Sequence, residues 1–263
     1  MSRRLSHNPK YVLATKDDGR WSGVLSCHED LLDQPLRWKK PKTIFVCSMS
    51  DLFHDKVPWD FIAKVFNVMA ATPWHTYQLV TKRPGRMAYF AEHVWPKQGG
   101  YWEPVEWTSP SRARVMANWP GTAWPSNVWA GTSVESQKYA PRLDVLARVP
   151  APVRFVSAEP LLEYLDLRPY FFKCSGSCTP TTDDPICACK GLAINWVIVG
   201  AESGPKRRPM KVSWVQAIRD HCQATGVALF VKQGSSLWPG KQGQLPDDLW
   251  AVKEMPHAQA KDN

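Results

Sequence analysis

INWVIVGAESGPKRRPMK, residues 194–211, carries the pattern that decides the fold. An apolar, β-branched run reaches Gly200, and the chain then turns polar at Glu202 and Ser203. The run does not alternate, which suits a strand covered on both faces. Five more segments read the same way: TIFVCSM (43–49), TYQLVTK (76–82), NVWAGTS (127–133), VRFVSAE (153–159) and ALFVKQG (228–234). Each is short and bounded by turn-forming residues, as buried strands are.

Helical patterns lie between these runs. In residues 58–71, Pro58 stands in the first turn, and Phe61, Ile62, Val65, Phe66 and Met69 share a face. Residues 213–225 predict a helix with Ser213 as N-cap and Gly226 at the stop position. Residues 136–148 also read as helical, with Pro141 limiting where the helix begins. Strands alternating with helices predict an α/β fold with a parallel sheet, here a partial barrel. The 263 residues suit one such domain. Residues 1–42 read as irregular, 91–126 as a Trp-rich insertion, 168–192 as a Cys-rich insertion and 235–263 as a tail.

Composition narrows the class. Hydrophobic residues at 44% and charged residues at 22% exclude wholesale disorder. No apolar stretch is long enough for a membrane helix, and no apolar run follows the first arginines as in a secretory signal. Seven cysteines without such a signal favour the cytoplasm and argue against a full disulfide framework. The net charge of +9 favours phosphate-rich partners such as nucleic acid, or marks a merely soluble basic protein. Fourteen tryptophans offer stacking surface, although most tryptophan serves a core.

The strand ends hold the candidate site. In order they run into Ser48, Ser50 and Asp51; Lys82 and Arg83; Ser133 and Glu135; Ser157 and Glu159; Glu202; and Lys232. The carboxyl edge of a parallel sheet is where such folds bind ligands. Carboxylates there take ribose hydroxyls or an amino group, and lysine or arginine takes a carboxylate or phosphate. The same residues also suit plain salt bridges around a barrel mouth. No dinucleotide fingerprint, Walker loop or GxSxG elbow is present.

Two further clusters stand out. Cys174, Cys178, Cys187 and Cys189 fall within CSGSCTPTTDDPICAC. They suit a structural zinc site, reduced or reversibly bridged thiols, or an iron–sulfur cluster. Lys206, Arg207, Arg208 and Lys211 follow the fifth strand and suit a phosphate backbone, or a solvated loop. Cys47 and Cys222 read as core. His54, His75 and His221 have no ligand spacing.

PLRWKKPKTIFVCSMSDLFHDKVP, LVTKRPGRM, NVWAGTSVES, RFVSAEPLL, INWVIVGAESGPKRRPM and FVKQ resemble a bacteriophage and prophage family called gp-thirty-seven/gp-sixty-eight. The matching segments span residues 35–233. The resemblance implies a partial TIM-type barrel similar to radical S-adenosylmethionine enzymes, with S-adenosylmethionine and a [4Fe–4S] cluster as cofactors. It implies that Ser48, Ser50 and Asp51 lie near the cofactor's amino acid end. Ser133, Glu135 and Glu159 would lie near its ribose.

The family's C-x6-C-x2-C cluster motif is missing from this chain, and NPKY and DGRW look like the segment that normally follows it. The expectation is therefore a radical-enzyme barrel, acting on nucleic acid, that is inactive as given. The alternative is a non-catalytic, zinc-stabilised module that binds nucleic acid or protein. A lyase or hydrolase using the strand-end carboxylates ranks behind both, because no nucleophile–base pair is visible.

Overall fold

In the computed structural model, six β-strands pair side by side in chain order, and every pairing is parallel. The structure describes residues 13, 14, 16, 18, 20, 22–48, 50–95, 123–171 and 194–256. The strands are β1 (Thr43–Val46), β2 (Thr76–Thr81), β3 (Val128–Ser133), β4 (Arg154–Ala158), β5 (Trp196–Gly200) and β6 (Ala228–Gln233). The α-helices are α1 (Gln34–Arg37), α2 (Trp59–Ala70), α3 (Pro84–Tyr89), α4 (Arg142–Leu146), α5 (Val212–Thr225) and α6 (Asp247–Trp250). Together they form a six-stranded parallel half-barrel with helices packed on one face. No helix among the described residues is long and apolar enough to cross a membrane.

Local chemistry sets the helix ends. Pro58 is extended at the N-cap of α2, and Pro84 opens α3, where a missing N–H costs nothing. Gly226 ends α5 at φ 67°, a left-handed position that suits glycine. Ser213 is not the N-cap of α5. Lys211 holds that position and Ser213 falls inside the first turn. The reason is tertiary: the Met210 N–H donates to Ser235 Oγ, so the chain turns two residues earlier than local propensity predicts. The segment 136–148 is also divided. Gln137–Tyr139 is a 3-10 turn, and α4 begins only after Pro141.

Alternation along the strands builds two apolar layers. Tyr77, Leu79, Ala130, Val156, Val197 and Val231 face the helices and join the main core. At its centre Phe66 of α2 lies 4.7 Å from the Phe90 ring, 4.9 Å from Trp124 and 5.4 Å from Trp95. Trp95 and Trp124 are therefore core residues, not parts of an exposed insertion; they are 1% and 9% exposed. Trp102, Trp107 and Trp119 lie outside the described residues. The inner face holds a second cluster of Trp129, Val153, Phe155, Trp196 and Ile198, which fills the lower part of the half-barrel. Gly131 admits the Phe155 ring, which would stand 2.6 Å from a Cβ there.

Residues 245–254 do not form a loose tail. Leu245 and Leu249 enter the core. Val231 N–H donates to the Val252 carbonyl at 3.0 Å, and Glu254 N–H to that of Leu229 at 2.9 Å. The return segment thus covers the outer edge of β6 in antiparallel sense. At the other margin, β1 pairs only with β2 among the described residues.

Truncating the central ring tests this account. Phe66→Ala is expected to cost about 3–5 kcal/mol in urea unfolding. Phe45→Ala, at an exposed position, should stay within about 0.5 kcal/mol. Similar losses for the two would contradict the assignment of Phe66 to the core.

Candidate functional site

Because all six strands are parallel, their carboxyl ends meet at one rim. The polar groups there separate into two kinds, those that clamp loops and those that face the half-barrel's interior.

Asp51 is a clamp. Its carboxylate accepts from Thr81 Oγ1 at 2.7 Å, Arg83 Nη1 at 3.0 Å, Phe53 N–H at 3.0 Å and Lys82 N–H at 3.2 Å. These bonds tie the loop after β1 to the end of β2. Glu202 is the second clamp. It accepts from the Arg208 main chain at 2.8 Å and from both sides of the Arg208 guanidinium. The guanidinium holds its carboxyl below the usual carboxylate range. Both clamps use their acceptors on the protein itself.

Continuing the alternation of β2, β3, β4 and β6, Lys82, Ser133, Glu135, Ser157, Glu159 and Lys232 fall on the inner face above the aromatic plug. Lys82 pairs with Glu135, whose other oxygen receives Arg142 Nη1 at 3.1 Å. Arg142 also donates to the Ser133 carbonyl at 2.7 Å. Lys232 Nζ stands 3.1 Å from Glu159 Oε2, and Ser157 Oγ lies 3.4 Å from the same oxygen. Glu159 rests against Gly200, where a Cβ would collide with its carboxylate. Sequence reasoning missed Gly131, Gly200 and Arg142 as parts of the site. A glycine inside a strand pattern signals close approach and marks the first two. Arg142 gives no signal, because its partners lie on other elements.

Burial divides the rim by mobility. The Glu135 and Glu159 side chains are 8% and 18% exposed, whereas Lys82 and Lys232 are 56% and 54% exposed. The carboxylates are fixed and the ammonium groups can swing. Pairs this exposed are worth about 0–1 kcal/mol, so a ligand can exchange for them at small cost. Burial alone would raise the Glu135 carboxyl. The Lys82 hydrogen bond and the Lys82 and Arg142 charges outweigh it and hold the group below the ordinary range.

A cavity of about 600 Å³ adjoins the rim at β1. Its wall runs from Gly23–His28 to Phe45, Cys47, Ser48, Ser50 and Asp51. Cys47 sits at φ 57°, and this left-handed step breaks the alternation of β1 and turns the chain into the cavity wall. It is half-buried beside the main core rather than within it, whereas Cys222 is a core residue. Burial pushes the thiols of Cys27 and Cys47 up, and that of Cys222 to about 12. His75 is structural: Nδ1 accepts from Lys42 N–H at 3.1 Å.

A protein family described as Protein of unknown function (DUF5131) matches residues 1–255. The chain belongs to this family. Both clamps, the rim and the cavity fall within the matched span. No curated protein and no solved structure gives a match.

The donor set tests the implied cofactors. A [4Fe–4S] cluster takes thiolate ligands from several cysteines, yet among the described residues only Cys27 and Cys47 line the cavity. No group of three metal-ligating residues exists among the described residues. The described residues do not fit the cluster. Further sulfur would have to come from Cys174, Cys178, Cys187 or Cys189, which lie outside the described residues. S-adenosylmethionine fits better, since its amino, carboxylate and ribose groups match fixed carboxylates and mobile lysines.

Two predictions follow from the charge geometry. Asp51→Ala leaves Thr81, Arg83 and two main-chain N–H groups without their acceptor, and is expected to cost about 2–3 kcal/mol in chemical unfolding. Glu135 titrates below the value of about 4.3 in an unfolded chain. Its stability contribution is therefore complete above that pH and is lost as pH falls through the folded value. Glu135→Gln should lose less stability than wild type below about pH 4.3, and parallel pH curves would contradict the assignment.

Proposed function

We propose that the mouth of the half-barrel binds a small zwitterionic ligand that carries a ribose, of the S-adenosylmethionine type, within the cytoplasm. The observation that carries this reading is the pairing of two fixed carboxylates, Glu135 and Glu159, with two half-exposed lysines at a rim whose β1 end opens on a cavity of about 600 Å³. Glu159 is suited to the ribose diol, because a carboxylate accepts two hydroxyl protons at once. Glu135, whose other oxygen stays paired with Arg142 when Lys82 moves, is suited to the ligand's ammonium. Lys82 and Lys232 swing to the ligand's carboxylate and other acceptors. Ser48 and Ser50, on the cavity wall, offer hydroxyls to its amino acid end.

Such a ligand supplies a reactive sulfonium centre when bound. The chain's own residues bind and orient it, and the reading assigns them no radical step. The family resemblance in sequence supports the choice of ligand.

Calorimetric titration with S-adenosylmethionine tests the proposal, with adenosine and methionine as fragments. Binding is expected in the micromolar range, equivalent to about −8 kcal/mol, and each fragment should bind far more weakly. Gly200→Ala is the sharpest variant, because the new methyl displaces the Glu159 carboxylate while the strand keeps its hydrogen bonds. It should weaken binding about tenfold, or ~1.4 kcal/mol, with little change in melting temperature. Absence of binding to the wild type, or unchanged affinity in both Gly200→Ala and Glu159→Gln, would overturn the reading.

A further inference from the structure

We propose that the paired loops after β5 and β6, residues 203–211 and 235–243, form a binding surface for single-stranded nucleic acid, with Trp238 as its stacking platform. This surface uses none of the carboxylates and lysines assigned to the mouth and does not depend on what the mouth holds. The loops are SGPKRRPMK and SSLWPGKQG. Between them they carry Lys206, Arg207, Arg208, Lys211 and Lys241 and no acidic residue. Glu202 takes Arg208, which leaves the other four cations without a carboxylate partner among the described residues.

The two loops are one structure. Ser203 and Ser236 form a parallel bridge, and Gly204 N–H donates to the Ser236 carbonyl at 3.0 Å. Met210 N–H donates to Ser235 Oγ at 2.9 Å, and Gln244 Nε2 to the Met210 carbonyl at 2.6 Å. Trp238 therefore stands two residues from the joint on one side, and Lys206 stands two residues from it on the other.

Trp238 is 65% exposed and Leu237 is 56% exposed. This exposure is built in, not a frayed end. Gly240 N–H donates to Gln233 Oε1 at 2.9 Å, and Gly234 N–H donates to the Lys241 carbonyl at 2.9 Å. Gly240 and Gly243 take positive φ, at 71° and 60°, to close the turn. The loop is anchored on both sides of an indole that is left in solvent.

An exposed indole on joined loops whose cations, Arg208 apart, have no carboxylate partner among the described residues fits a strand whose bases are unstacked. Arg207 also donates to the Gly204 carbonyl, and Lys211 lies over the Trp214 ring. The ring takes a base face and the lysines take phosphates. A duplex keeps its base faces stacked and offers only the phosphates. An acidic peptide would use the cations and leave the indole idle.

Fluorescence anisotropy with end-labelled oligo(dT) and oligo(U) of about 12 nucleotides tests the proposal against a duplex of the same length. The wild type should bind the single strands more tightly than the duplex, and affinity should fall as salt rises from about 50 to about 200 mM. Trp238→Ala should weaken single-strand binding about tenfold, and Trp238→Phe should recover most of that loss. Replacing Lys206 and Arg207 together by Gln should reduce the salt slope by about 1.4. Lys241→Glu, a single exposed change, provides an independent charge test and should also weaken binding. Melting curves of the Trp238 and Lys241 variants should match the wild type, because those side chains are exposed. The double variant also removes the half-buried bond from Arg207 Nη1 to the Gly204 carbonyl, so its melting curve is compared with that of Lys206→Gln alone. Failure of the wild type to bind at low salt would overturn the proposal, and so would full affinity in Trp238→Ala. Tighter binding to polyglutamate than to either oligonucleotide would also overturn it, in favour of an acidic protein partner.

Discussion

Everything in this molecule hangs on parallel pairing in strict chain order. A parallel neighbour can be reached only by a crossover, so the chain must return to the starting edge of the sheet before each next strand begins. Every strand then points its carboxyl end the same way. Residues spread from Asp51 to Lys232 meet at one rim, although nothing local links them. The helices, the core around Phe66 and the aromatic plug under the mouth are consequences of covering that sheet on both faces.

The rim is economical with charge. Asp51 and Glu202 hold loops by using their oxygens on N–H and guanidinium donors of the same chain. Glu135 and Glu159 hold their positions through Arg142 and through the space that Gly200 leaves, and their lysine partners remain half in water. The same residue types thus do opposite work. What separates them is whether the cationic partner is itself anchored: Arg83 and Arg208 belong to the loops they fasten, whereas Lys82 and Lys232 end in solvent.

Much of the fold was legible in the sequence because a parallel strand buried on both faces is continuously apolar, and all six such runs became strands. The helix stop at Gly226 was legible for the same local reason, since only a left-handed position ends that helix. The failures were all tertiary. Ser213 lost its capping role to a hydrogen bond from Met210 to a loop twenty-five residues later. Trp95 and Trp124 looked like insertion because the chain between them is rich in breakers, yet both reach the Phe66 ring. The strand-end residues share one rim because the strands are parallel, but the division into clamps and rim depends on distances that no spacing encodes. The glycines at 131 and 200 carried a readable signal, close approach, without saying what approaches.

The covering of β6 by residues 252–254 has a consequence for how copies of the sheet can meet. A strand margin with unpaired main-chain groups acts as a template for another strand. On the β6 side those groups are already taken by an antiparallel segment of the same chain, so growth in that direction is blocked. Among the described residues, β1 offers the contrasting margin, short and flanked by Lys39, Lys40 and Lys42. Any fibre or dimer built by sheet extension would therefore be polar, starting at β1, and would have to overcome the mutual repulsion of those lysines at its first step.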